Sequence, residues 1–431
     1  KIKPPVGNMS YSDKTRVFLA SHGMEPDGLD LEECAARFIA DMELGLAGHS
    51  SSLDMIPTYL ASGVPAPGSK AAVIDAGGTN FRASRVLFTP DGATLERVER
   101  APMPGVAAPA TWDEFIDFTA RKLIEVMEDA EGVGFCFSYR AEITPERDGR
   151  VILMSKGVNL TGYENHLLCA DLKAALRRLG APDIPAVLVN DTAAVALSGA
   201  SLLRTGGYDS LIGLVVGTGQ NSCCEIDTAR IPKLGTAPGG KMLVNLESGC
   251  FDGCPAGDFD RELDAATNNP GDHLFEKMTS GAYLGELCRL TLRAAAREGL
   301  FSDEGAEKLL AMSELASSTA DMYALGETAS FSKADGNYVQ SICHAVFERA
   351  ARCVCANISA ILLFTDTGSD AARPACVCAD GSVVRYSKAF SSSLRRYLDS
   401  FTRAILGRHC VLHCTEEATT LGAAAAALLN G

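Results

Sequence analysis

Ala71-Ala-Val-Ile-Asp75-Ala-Gly77-Gly78-Thr79-Asn80-Phe81-Arg82-Ala-Ser-Arg-Val-Leu-Phe88 is an apolar run, a glycine-rich step and a second run rich in strand formers. The pattern predicts two strands joined at a turn. Leu211-Ile-Gly-Leu-Val-Val-Gly217-Thr218-Gly219-Gln220-Asn221-Ser-Cys-Cys-Glu-Ile226 repeats it in the second half. Each unit leads into alternating helices and strands, so the chain reads as a weak internal duplication of α/β type. Two such halves, each offering a phosphate-sized turn, would clamp a nucleotide in the cleft between them.

Outward from these units, 29–60 has apolar residues at helical spacing, followed by a Ser-rich step and a short second helix. Pro65, Pro67 and Gly68 then punctuate the chain. Residues 120–130 and 167–179 read as helices, and 132–138 and 186–189 as strands. Helices dominate 258–360. A last strand and turn over 375–384 and an Ala-rich helix over 419–429 close the chain.

Hydrophobic residues make up 47% and charged residues 22%, enough for a large core in 431 residues. Net charge is −15, which argues against non-specific binding to nucleic acid or anionic membranes. It leaves room for an anionic small ligand, which needs only a local cradle of backbone N–H groups and a cation or two. The most apolar stretch, 339–364, carries Glu348, Arg349, Arg352 and Asn357 and reads as a buried helix rather than a membrane span. No signal-peptide pattern opens the chain, so a cytoplasmic protein is expected. The 15 cysteines then read as free thiols. Cys250 with Cys254, or Cys376 with Cys378, would be half a metal site with no second pair at zinc spacing.

Four places carry chemistry. At Asp75–Asn80 two glycines let backbone N–H groups approach a phosphate, and the aspartate can hold hydrated Mg²⁺; an ordinary hairpin turn would look the same. Asn190-Asp191-Thr192 ends a strand, where α/β sheets place ligands. An aspartate there can deprotonate a hydroxyl, but Asn-Asp-Thr is also capping chemistry, and one residue can cap while its neighbour catalyses. Gly217-Thr218-Gly219 is the partner turn. Glu247 and Glu276, flanked by polar residues, could accept hydrogen bonds from sugar hydroxyls, or be solvated surface groups.

In this order the motifs resemble the hexokinase family. Asp75–Arg82 looks like its first phosphate motif, and Gly134-Phe-Cys-Phe-Ser138 with Ser155-Lys156-Gly157 like its sugar signature. Asn190-Asp191-Thr192, Gly217–Asn221, Asn245-Leu-Glu247 and Asn269–Glu286 follow in family order. The resemblance runs from about Ser51 to the C-terminus and implies duplicated actin-like (ribonuclease H-like) domains around a central cleft. It implies a small domain of 70–190 plus 419–431 and a large domain of 9–69 plus 191–418. It implies phosphorylation of a hexose, glucose first, at its 6-hydroxyl by ATP with Mg²⁺ held near Asp75. Asp191 would be the base and Lys156 would steady the transferring charge. Ser138, Tyr139, Ser155, Lys156, Asn190, Asp191, Asn221, Glu247, His273 and Glu276 would bind the sugar. Asp75, Gly77, Gly78, Thr79, Asn80, Arg82, Gly217, Thr218, Gly219, Gly381 and Ser382 would face ATP.

The chain departs from the pattern at Tyr139, Ser155 and His273 on the sugar side, and at Cys378 and Leu421 on the nucleotide side, where the family carries Gly and Lys. A sugar-sensing protein with weak turnover, or a kinase for another hexose or amino sugar, is the competing reading.

Overall fold

A computed structural model describes residues 12–78, 80–154, 157–204, 206–236 and 239–431. Ten strands build two sheets of like design. The first holds β1 (Lys70–Ala76), β2 (Asn80–Thr89), β3 (Gly92–Pro102), β4 (Gly132–Phe137) and β5 (Ala186–Val189), ordered β5-β4-β1-β2-β3. The second holds β6 (Leu211–Val216), β7 (Gln220–Asp227), β8 (Lys241–Asn245), β9 (Ala375–Asp380) and β10 (Cys410–His413), ordered β10-β9-β6-β7-β8, with Ile56–Pro57 added beyond β8.

The order and the sense of pairing agree strand for strand. β1–β2–β3 and β6–β7–β8 are antiparallel meanders, while β4 and β5, like β9 and β10, join in parallel. This is the duplicated α/β design expected from the paired turns, and the actin-like fold that the resemblance implies.

Eight helices matter here: α1 (Leu31–Ala47), α2 (Trp112–Ile124), α3 (Leu168–Arg178), α4 (Asp191–Leu197), α5 (Leu274–Thr279), α6 (Leu284–Arg297), α7 (Lys333–Thr365) and α8 (Ala418–Asn430). α2 begins at Thr111 with a reciprocal cap: Glu114 N–H donates to Thr111 Oγ1 at 3.3 Å and Thr111 N–H to Glu114 at 2.8 Å. α2 and α3 cover one face of the first sheet. α1, α6 and α7 pack with the second sheet in the largest core. The charges along α7 are paired, Arg349 with Asp260 at 2.7 Å and Glu348 with the Tyr397 hydroxyl at 2.6 Å. Among the described residues no helix is long and apolar enough to cross a membrane.

Between the sheets lie α8 and α4, back to back. Close approach is possible because glycine stands at every contact. A Cβ on Gly134 of β4 would be 2.0 Å from Ala423 O, one on Gly422 of α8 would be 1.6 Å from Ala194 O, and one on Gly213 of β6 would be 2.3 Å from Thr192 O. The layer order is therefore first sheet, α8, α4, second sheet, and alanines fill it (Ala193, Ala194, Ala423–Ala427).

Two expectations change. After the Ser-rich step the chain forms the edge strand 56–57, not a second helix, because Ile56 and Pro57 pair with Asn245 and Val244. The helix expected over 120–130 starts at Trp112, where Thr111 caps it, and stops at Ile124.

Candidate active site

β1 and β2 pair antiparallel up to Ala76 and Phe81, with the Gly77–Gly78 step directly after β1 and Asp75 set opposite Arg82. The guanidinium of Arg82 holds Asp75 at 2.9 Å and also pairs with Glu417, just before α8. Burial pushes the Asp75 carboxyl above the ordinary range; Arg82 opposes this, and the nearby carboxylates of Asp191 and Glu417 add to it. The Asp75 carboxylate is a hard oxygen donor of the kind that suits Mg²⁺. Gly77 is exposed, and a Cβ there would sit 3.2 Å from both Asp75 Oδ1 and Ser138 Oγ, so the turn has backbone on its cleft side.

The second turn mirrors the first. β6 and β7 pair through Val216 and Gln220, leaving 217–219 as the turn, with Thr218 exposed at its tip. Gly281 N–H donates to Gly217 O at 2.6 Å. The turn at 380–382 packs against it, since a Cβ on Gly217 would be 3.2 Å from Gly381 Cα. Gly217, Thr218, Gly381 and Ser382 thus lie on two adjoining turns.

Asp191 opens α4 directly after β5. Asn190 Oδ1 accepts from Thr192 N–H at 2.9 Å and is the N-cap, while Asp191 Oδ1 accepts from the same N–H at 2.7 Å. The Asp191 charge adds to the burial that raises both the Asp75 and the Glu247 carboxyls, so groups borne on both sheets lie within its electrostatic reach.

Glu247 follows β8 at φ 56°, a conformation that side chains other than glycine seldom take. It accepts from Asn221 Nδ2 at 3.2 Å and from Asn245. Burial, with Asp191 beside it, pushes its carboxyl up to about 7 despite those bonds. Glu276 on α5 accepts from Gln220 N–H at 2.9 Å, and a Cβ on Gly219 would strike it at 2.6 Å. Asn221, Glu247 and Glu276 thus form one acceptor-rich wall at the second sheet, and Ser138 stands by Gly77 at the first.

Thr79, Ser155 and Lys156 lie outside the described residues. Tyr139 is among the residues expected at the sugar. Its ring is buried and its hydroxyl donates to Gly78 O at 3.0 Å, so it braces the Gly77–Gly78 step. Cys378, one of the departures on the nucleotide side, is buried in β9 and faces Gly199, where an added Cβ would meet its Sγ at 2.5 Å.

Three contributions escape a sequence reading. Glu417 is the second partner of Arg82, 335 positions away. Gly281 buttresses the second turn. Cys250 meets His273 rather than Cys254, with Sγ 3.5 Å from Nδ1 and Asp272 alongside. Only the short spacing of Cys250 from Glu247 and of His273 from Glu276 hinted at the last. Among the described residues all 15 cysteines are free.

Together the arrangement can hold a polyhydroxyl ligand by acceptors, seat a polyphosphate on two backbone turns and set a carboxylate base between them. Two family models described as hexokinase match residues 20–201 and 211–429. Hexokinase-9 of Oryza sativa subsp. japonica is 30% identical over 438 residues, 91% of this chain and 85% of its own. A hexokinase of Schistosoma mansoni solved with glucose superposes with TM-score 0.72 at 22% identity, over 96% of this chain and 99% of that one. A second solved hexokinase reaches 0.82 at 21% identity, over the same shares.

Proposed function

The chain belongs to the hexokinase family, and from that premise we propose that it transfers the γ-phosphoryl group of Mg-ATP to the 6-hydroxyl of a hexose, with glucose the preferred acceptor and glycolysis the use. The position of Asp191 after β5 at the head of α4, with Asp75 and the Glu247–Asn221–Asn245 cluster within its electrostatic reach, carries the reading. It sets the one base between a phosphate turn and a wall of hydroxyl acceptors. A solved relative in this fold holds glucose.

In this account Glu247, Glu276 and Asn221 accept or share hydrogen bonds with sugar hydroxyls and fix which hydroxyl faces Asp191. Asn190 and Ser138 complete that grip, and the charge of Lys156 steadies the transferring group. Asp191 orients the acceptor hydroxyl and takes its proton. The turns at Gly77 and Gly217, with Thr218, cradle the phosphates by backbone N–H groups, and Asp75 holds the Mg²⁺ that travels with ATP and neutralises phosphate charge. Positioning and charge stabilisation do most of the catalysis in such a transfer. The small domain is 70–190 with 419–431 and the large one 9–69 with 191–418; the boundary falls at Asn190, where β5 gives way to α4. Cytoplasmic residence goes with this role.

Leu421 favours the second reading, a sugar sensor with weak turnover, because it puts an apolar side chain on α8 four residues after Glu417 where the family carries Lys. Fewer cations at the nucleotide end weaken the hold on polyphosphate. A coupled ADP-release screen over hexoses and over ATP, GTP and ITP decides between them. The kinase reading expects rapid turnover with glucose, a high KM for ATP and weak discrimination among purine donors. Tight sugar binding with no ADP release would establish the sensor instead.

A further inference from the structure

The 3₁₀ turn Ser248–Cys250 follows Glu247, and His273 is the cap residue of α5, one turn before Glu276. These two segments bring together a thiol, an imidazole and a carboxylate. One ligand atom each from Cys250, Asp272 and His273 lies within 4.8 Å of the other two. Cys250 Sγ stands 3.5 Å from His273 Nδ1. Around zinc, bonds of about 2.3 Å to sulfur and about 2.0 Å to nitrogen at a tetrahedral angle put those two atoms about 3.5 Å apart. The pair already has that spacing.

We propose that Cys250, His273 and Asp272 form a binding site for a zinc-class divalent ion, which ties the turn carrying Glu247 to the helix carrying Glu276. The ligand set is sulfur, nitrogen and oxygen, a borderline-soft set that selects zinc or cobalt over magnesium. Three protein ligands leave a fourth position for water. On binding, a metal–sulfur bond forms and the Cys250 thiol proton leaves to solvent. Both segments are held in unfavourable backbone, His273 at φ 52° and Glu247 at φ 56°, and a metal bridge braces both against relaxing. The site stands on the ligand geometry alone and does not depend on the kinase reading.

The test uses the chelator-treated full chain and Co²⁺, whose thiolate charge-transfer and tetrahedral d–d absorptions report the ligand set without any turnover. The expected result is a spectrum saturating at about one equivalent and displaced by Zn²⁺. Cys250→Ser and His273→Gln should each abolish the charge-transfer band or weaken metal binding at least 100-fold, roughly the upper limit for losing a mere supporting hydrogen bond. Cys414→Ser, at the exposed thiol, should leave the spectrum unchanged. Circular dichroism identifies which variants fold, and one folded variant of the pair is enough. A chain that shows no tetrahedral cobalt spectrum, or one that survives both Cys250→Ser and His273→Gln, overturns the proposal.

Discussion

Glu247 carries the most telling single titration in the site. Its carboxyl sits at about 7 against an ordinary 4.5 because burial and the Asp191 charge oppose ionisation. The fold therefore binds more protons than the unfolded chain between those two values. By linkage, stability contributed by the neutral form is complete below about 4.5 and is lost as pH rises through about 7. Glu247→Gln keeps an acceptor for Asn221 and Asn245 but never ionises. Its melting curve should coincide with the parent's at pH 4 and lie above it at pH 8, by up to about 3 kcal/mol in stability. Curves that stay parallel from pH 4 to pH 8 would show that the site does not burden this carboxylate. Its position was legible from Asn245-Leu-Glu247; its burial was not, since an isolated glutamate in a sequence reads as well for a solvated face. Asn190-Asp191 shows the same limit. Either side chain can cap a helix, and only the structure shows both oxygens on the Thr192 N–H with the Asp191 charge reaching both sheets.

At the scale of elements, α4 and α8 decide how the two halves meet. Their contact has no side chain at its centre, because Gly422 faces the Ala194 carbonyl. Even one methyl there would have to move backbone, so Gly422→Ala should cost about 1–3 kcal/mol or more. Chemical denaturation would read it as a lower midpoint, and an unchanged midpoint would mean that the helices sit further apart. The Ala-rich pattern of 419–429 announced a closely packed helix, and the glycine-rich steps at 77–78 and 217–219 announced the paired turns. What sequence alone could not supply was the partner of each. The short edge pieces 56–57 and β10 were hidden for a related reason. Two to four residues give too little alternation to read a period, and they become strands only because a neighbour pairs with them.

Across the whole molecule, the acceptor wall belongs to one sheet and Ser138 with the Gly77 turn to the other, so a hexose that touches both would draw them together. The alanine and glycine surfaces of α4 and α8 suit a small sliding motion between two rigid halves. Closure expels water that would otherwise compete for the phosphoryl group. Small-angle scattering should show a smaller radius of gyration at saturating glucose than without sugar. Equal radii at saturation would mean that the cleft binds sugar without closing. The repeat in topology and a cleft between the halves were foreseeable from two like motifs, whereas the side-chain partners within each half needed both sheets in place.

The central claim is that Asp191 takes the proton of a hexose hydroxyl while phosphate passes to it. Phosphorus-31 NMR of the full chain with Mg-ATP and glucose reads that directly, because it resolves ADP, inorganic phosphate and sugar phosphate in one sample. The account predicts hexose 6-phosphate and ADP appearing in equal amounts, and a rate lowered about 100-fold or more in Asp191→Asn with sugar affinity retained. Inorganic phosphate in place of the sugar phosphate, or an Asp191→Asn variant as fast as the parent, would contradict it.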